Sequence, residues 1–131
     1  MIRQQLAKIR MSRCEDKDKY IEIVVFLDGD RCICEEDSYG HVKDNYGDGL
    51  HMYPVLLTPV PDRGAPVFEI EWGGNDRTFT ELDFQLKRPV KEGDNVICEE
   101  SSDNSQDQVK YDYKIKSIEV LLNALPGGES A

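Results

Sequence analysis

The chain has 131 residues, 39% of them hydrophobic, which is enough for a single domain with its own apolar core. Its 26 acidic and 16 basic residues give a net charge of −10, which argues against direct nucleic-acid binding, because phosphate contacts require clustered Lys and Arg. Residues 1–13 hold four basic residues and no acid, so the remainder, with 12 basic and 26 acidic residues, stands at −14. No apolar run has the length of a membrane span or a secretory signal, and we expect a soluble, cytoplasmic protein.

The first segment predicts a short helix. Ile2, Leu6 and Ile9 recur at helical spacing with basic residues between them, which favours a basic amphipathic helix over residues 2–11. We therefore divide the chain into a basic N-terminal segment (1–13), a single β domain (14–125) and a disordered tail (126–131).

A strand follows from Tyr20, where Ile21, Ile23, Val25 and Leu27 occupy one side of an extended run. Asp28-Gly29 is typical of a hairpin turn, and Arg31–Glu36 is predicted to be the return strand. With a two-residue loop, Cys32 and Cys34 would face the core.

Residues Asp37–His51 are rich in Gly, Asp, Asn and Tyr and are predicted to form a long surface loop. Tyr53–Val60 reads as a strand, and Pro54 and Pro59 suit an edge position, because proline cannot donate a ladder hydrogen bond.

The second half alternates as half-buried strands do. Phe68, Ile70 and Trp72 share one side, as do Leu82, Phe84 and Leu86, and a further strand includes Val96–Cys98. In the last strand, Tyr111, Tyr113 and Ile115 are in one phase and Ile118, Val120 and Leu122 in the other, which predicts a bulge near Lys116 or Ser117. The pattern indicates an all-β fold, a small antiparallel barrel or sandwich of about seven strands.

Two segments share a pattern. Residues 29–36 and 93–100 both read Gly-Asp-x-x-Ile-Cys-Glu-Glu, an offset of 93 − 29 = 64. Duplication is one explanation; the same turn-then-strand chemistry used twice is the simpler one.

No motif for catalysis is present, and we expect a non-enzymatic protein without metal or cofactor. Cys14, Cys32, Cys34, Cys98, His41 and His51 could supply metal ligands, but their spacing is typical of buried strand residues rather than a zinc site. Asp44–Gly49 resembles a calcium loop only in composition, since Tyr46 and Val55 stand where oxygen ligands belong.

Binding of a macromolecule is the expected function. Tyrosine is favoured at interfaces, and carboxylates suit a basic protein surface. The predicted binding residues are Tyr39, Asp44, Tyr46, Asp48 and Tyr53, with Glu35 and Glu36. The most specific form of the hypothesis is an inhibitor or immunity-type protein whose carboxylates mimic nucleic-acid phosphates. A β-barrel that holds a small ligand and a structural subunit of a larger assembly are the alternatives.

Overall fold

The computed structural model describes residues 4–15, 19–46, 49–72, 78–85, 87–102 and 108–124. They form a closed antiparallel barrel in which each strand pairs with its neighbours in sequence and the last pairs with the first. The eight strands are β1 (Gln4–Arg13), β2 (Tyr20–Leu27), β3 (Ser38–Tyr46), β4 (Gly49–Pro59), β5 (Val67–Trp72), β6 (Thr78–Asp83), β7 (Asn95–Ser102) and β8 (Gln108–Ala124). The all-β prediction and the barrel alternative are confirmed, whereas the number of strands is eight rather than seven.

The predicted N-terminal helix is wrong, because residues 4–13 form β1. Ala7, Ile9 and Met11 are fully buried at alternate positions, which is the two-residue period of a strand. Ile2, Leu6 and Ile9 also fit the spacing of a helix, and the helix prediction rests on that second pattern. β1 pairs with β2 on one side and β8 on the other, from Gln5↔Leu27 and Gln4↔Ala124 onward. Pairing with both neighbouring strands satisfies the backbone hydrogen bonds of β1, whereas an isolated helix of about ten residues would be only marginally stable.

The predicted return strand Arg31–Glu36 is also wrong, since only a single bridge joins Leu27 and Ile33. The Asp28 carboxylate accepts hydrogen bonds from the backbone N–H groups of Asp30 and Cys32 (2.8 and 3.0 Å), and Arg31 adopts a left-handed φ of 64°. The turn thus holds three residues rather than two. One extra residue exchanges the faces of a strand, so Ile33 is buried while Cys32 and Cys34 are only half-buried.

The long loop predicted over Asp37–His51 is mostly a hairpin of β3 and β4, paired from Ser38↔Leu57 to Tyr46↔Gly49. Its composition is polar because Tyr39, His41 and Lys43 lie outside the barrel. Pairing to strands on both sides overrides the weak β-propensity of its Gly, Asp and Asn residues.

The predicted edge position is wrong for the strand Tyr53–Val60, because β4 pairs with both β3 and β5 in a closed barrel. Pro54 is tolerated just outside the described β4–β5 pairs, which begin at Val55↔Trp72, and Pro59 ends the strand.

The strands of the second half follow the predicted alternation. Phe68, Ile70, Leu82 and Phe84 are buried, whereas the side chain of Trp72, Leu86 and the tail from residue 126 lie outside the described part. The predicted bulge in β8 is confirmed: the register shifts where Arg10↔Ser117 gives way to Met11↔Ile115, which leaves Lys116 unopposed. The predicted common phase of Ile118, Val120 and Leu122 is wrong at Leu122, because a second shift between Ala7↔Val120 and Leu6↔Leu122 turns Leu122 to the outside.

Apolar side chains line the described interior of the barrel. The largest fully buried ones are Phe68, Ile9, Met11, Ile21, Ile23, Leu27, Leu57, Leu82 and Ile115. An eight-stranded barrel is just wide enough to be filled by side chains or to hold one small ligand.

One end of the barrel, here called the capped end, is covered by the β2–β3, β4–β5 and β6–β7 connections. They contribute the buried side chains of Ile33, Ala65, Phe84 and Val90. Hydrogen bonds from Val90 N–H to the Arg31 carbonyl and from Phe84 N–H to the Pro66 carbonyl, both 3.0 Å, join the connections to one another.

The two similar segments have different structures. Residues 29–36 contain the three-residue turn and one bridge, whereas residues 93–100 lead into β7. Ile33 is buried and Cys34 half-buried, but Ile97 is half-buried and Cys98 buried. The shared sequence pattern therefore does not give the Ile and Cys side chains the same orientation in the two segments.

Candidate interaction surface

A continuous apolar strip crosses the outside of five neighbouring strands. We call it the outer apolar band; its residues are Leu122 of β8, Leu6 of β1, Phe26 and Val24 of β2, Tyr39 of β3 and Leu56 of β4. Register makes them neighbours: Leu6 is opposite both Leu122 and Phe26, and Tyr39 is opposite both Val24 and Leu56.

The band is exposed at both ends and half-buried between them. Tyr39, Leu56 and Leu122 are 58%, 57% and 59% exposed, while Leu6, Val24 and Phe26 are intermediate. Four strand spacings of about 4.8 Å give it a width of about 19 Å. Contiguous apolar surface of this kind is typical of interaction sites, whereas scattered apolar residues are not.

Carboxylates continue the outer surface beyond the band. Glu71 lies opposite Leu56, and the next row places Glu69, Glu81 and Glu99 directly across β5, β6 and β7. We call the last three the acidic row. Like charges directly opposite each other destabilise a sheet. Arg63 offsets this at Glu81, whose two oxygens it contacts at 3.4 Å, and Lys110 of β8 lies directly opposite Glu99. In the described register Glu69 has only Thr58 and Glu81 across from it, so its repulsion by Glu81 is the least compensated in the row.

Replacing Glu69 by Lys is expected to raise the free energy of unfolding by about 0.5 kcal/mol, because a repulsive cross-strand pair with Glu81 becomes attractive. Urea unfolding of the two proteins measures the change. Glu71→Lys is the matched control, since its cross-strand neighbour Leu56 is apolar. Equal effects of the two substitutions would mean that the gain in stability comes from the smaller net charge of the protein rather than from relief of repulsion within the acidic row.

The basic residues of the N-terminal segment contact the barrel itself. The Lys8 amine lies 3.2 Å from Glu119 and 3.5 Å from Glu22. The hydrogen bond and charge of Glu119, followed by the charge of Glu22, raise the pKa of Lys8. His41 lies 3.8 Å from Glu22 on the next strand. Lys8, Glu22, Glu119 and His41 thus form a charged group on the outside of β1, β2, β8 and β3, next to the outer apolar band.

Two further arginines of β1 stack on tyrosines. The Arg10 guanidinium lies 3.9 Å from the centre of the Tyr20 ring, and the Arg13 guanidinium lies 3.7 Å from that of Tyr111 and 5.6 Å from that of Tyr113. Cation–π contacts of this kind stabilise a fold modestly. The basic segment therefore acts within the fold rather than as a separate surface.

Burial raises the pKa of the described thiols that lie in or beside the barrel. For Cys32 and Cys34, desolvation is the largest cause of the raised pKa and the charge of Asp28 is the next. For Cys98, desolvation is again the largest cause, and the pKa is raised to about 12. Thiols are weak nucleophiles and metal ligands while protonated. In the described part of the chain, His, Cys, Asp and Glu side chains form no group of three able to hold a metal ion.

The sequence-predicted binding residues are divided between the two ends of the barrel. Glu35 and Glu36 are exposed at the capped end, and Tyr39 lies near that end on the outer face of β3. Asp44 and Tyr46 are placed in β3 and Tyr53 in β4, but their side chains, like Asp48 altogether, lie outside the described part. Tyr39 and Tyr46 are separated by about 23 Å along the strand.

Tyr39 is the one predicted residue that belongs to the outer apolar band. The other five members, Leu6, Val24, Phe26, Leu56 and Leu122, are not among the residues predicted from the sequence. The available signal was apolar residues on both faces of a strand, as in Ile23-Val24-Val25-Phe26 and Leu56-Leu57, because the second face of such a strand lies on the outside of a single-sheet barrel.

No protein family, curated protein or solved structure matches the chain. In the part of the chain described, no helix has the length and hydrophobicity to cross a bilayer.

Proposed function

We propose that this protein is a non-enzymatic binding protein that engages a protein partner through the outer apolar band and the carboxylates next to it. The observation that carries the proposal is the cross-strand continuity of the band, with exposed Tyr39 and Leu56 beside Glu71. Interfaces commonly combine an apolar centre containing Tyr with a charged rim.

The charges support a partner whose apolar contact patch is bordered by Lys and Arg. The net charge of −10 opposes association of two copies, whereas a basic partner would be attracted to Glu69, Glu71 and Glu99.

Mimicry of nucleic acid is the narrower form of this proposal. The acidic row supplies closely spaced carboxylates, as a phosphate backbone supplies charge, but the band has no counterpart in a phosphate backbone. Duplex DNA or RNA would compete with the protein for its partner under mimicry. Absence of competition would restrict the proposal to an ordinary protein–protein contact.

The double substitution Tyr39→Ala/Leu56→Ala is expected to weaken partner binding at least about tenfold, because central aromatic and apolar contacts carry most of the energy of an interface. Immobilised wild-type and variant proteins are exposed to an extract of the native host, and the retained proteins are quantified by mass spectrometry. The affinity of the identified partner is then measured by calorimetry.

Val109→Ala is the matched control, because Val109 is an exposed apolar residue outside the band. The control should retain the same partner as the wild type, and Glu69→Lys should reduce retention although it stabilises the fold. Equal retention by wild type and double variant, or affinity unchanged between low and physiological salt, would contradict the proposal.

Self-association through the same band is distinguished by sedimentation. A wild-type dimer that the double variant converts to a monomer would assign the band to contacts between copies. A monomer in both proteins supports a different partner.

A further inference from the structure

A small pocket lies at the capped end, and none of its lining residues belongs to the outer apolar band. Its volume is about 220 Å³, and the β2–β3, β4–β5 and β6–β7 connections all contribute to it. The lining residues are Glu35, Asp62, Arg63, Gly64, Ala65 and Lys87. Three separate segments of chain therefore meet around one space.

The three connections that line the pocket are joined to one another. Ala65, one of the lining residues, is buried, and the carbonyls of Arg31 and Pro66 accept hydrogen bonds from the N–H groups of Val90 and Phe84. Because the backbone of the connections is held in this way, a ligand would bind without the entropy cost of ordering a loop.

The pocket is lined by charges of both signs. Arg63 is paired with Glu81, which does not line the pocket, while Glu35, Asp62 and Lys87 make no ion pair or side-chain hydrogen bond with another described residue. Converging polar groups that protein partners leave available are typical of ligand sites.

One lining residue has an unusual backbone conformation. Asp62 adopts a left-handed φ of 62°, which residues other than Gly, Asn and Asp rarely take.

We propose that this pocket binds a small zwitterion, with its ammonium group toward Glu35 and Asp62 and its carboxylate toward Arg63 and Lys87. A simple anion would be repelled by the two acids and a simple cation by the two bases. The volume is below the roughly 300–1,000 Å³ of pockets for drug-sized ligands, so the ligand has the size of a single free amino acid. The site is independent of the outer apolar band.

The test is titration of the full isotope-labelled chain with each common amino acid, followed by NMR. At least one amino acid at millimolar concentration should produce saturable shifts of the Gly64 and Ala65 amide signals. Acetate and ethylammonium, which each carry one of the two charges, should not produce saturable shifts there.

Lys87→Gln and Asp62→Asn should each weaken this binding at least about tenfold, and Glu119→Gln, which is outside the pocket lining, should leave it unchanged. Asn tolerates the left-handed conformation of residue 62, and the melting temperature of each variant reports whether the fold is retained. Absence of saturable shifts with every amino acid, equal shifts with acetate alone, or unchanged binding by the folded variants would overturn the proposal.

Discussion

Gly40→Ala is expected to lower the free energy of unfolding by about 3 kcal/mol, which is at the upper end of the cost of overpacking a closely packed site. A Cβ atom at residue 40 would collide with the carbonyl oxygen of Glu22 and would lie 2.8 Å from the Ile23 Cα. These are backbone atoms, which cannot rotate away, so β2 and β3 would have to separate. Gly40 is paired with Ile23 on one side and Val55 on the other, and the disturbance reaches three strands.

Urea unfolding and thermal melting measure the effect, with a fall in melting temperature of roughly 10 °C. Gly93→Ala is the matched control. Residue 93 has a left-handed φ of 91° and no atom within 4 Å of the added Cβ, so only the conformational cost of about 1 kcal/mol applies. A loss at Gly40 no larger than that at Gly93 would show that the close approach of β2 and β3 relaxes without cost.

The strands predicted best from the sequence are those in which residues of the two faces alternate most clearly. β2 and β5 carry clear two-residue periods with an apolar face, and both were predicted within a residue of their bounds. The β8 bulge was predictable because the apolar phase changes at Lys116, and a phase change in a continuous strand requires an extra residue.

The wrong predictions share a physical cause, which is that pairing partners lie far away in sequence. β1 presents Ala7, Ile9 and Met11 to the core, but it is a strand only because β2 and β8 lie on either side of it. β3 has few apolar inward residues and gains its order from β2 and β4. Tertiary pairing overrode local composition in both cases.

The prediction of a two-residue turn after β2 is wrong for a local reason. Asp28-Gly29 favours a two-residue hairpin, but the Asp28 side chain binds two backbone N–H groups and lengthens the turn by one residue. Sequence alone does not separate these turns, and a difference of one residue decides whether Ile33 or its cysteine neighbours face inward.

The binding residues predicted from the sequence lie between Glu35 and Tyr53, in one continuous segment. Of these, Tyr39 belongs to the outer apolar band. The outer apolar band instead joins residues as distant in sequence as Leu6 and Leu122, which become neighbours only through barrel closure. Its recognition therefore required strand register.

Cys98 is expected to make the protein progressively less stable in alkali. The thiol is 1% exposed, and desolvation, with the nearby Glu100 charge, raises its pKa from 9.0 to about 12. The folded state favours the protonated thiol, so its contribution is complete below pH 9, where the unfolded thiol is also protonated, and is lost as pH rises toward 12. The free energy of unfolding should be about 2–3 kcal/mol lower at about pH 11 than at about pH 8 from this group alone.

Urea unfolding over this pH range measures the slope, and Cys98→Ala removes the contribution of the thiol. Burial also raises the pKa of Tyr113, whose unfolded phenol ionises near pH 10, so some alkaline loss should persist in the variant at the upper end of the range. The difference in slope between wild type and Cys98→Ala isolates the thiol, whatever the variant costs in stability at neutral pH. Parallel slopes would mean that Cys98 ionises as readily in the barrel as in the unfolded chain, and that the interior next to Tyr113 admits water.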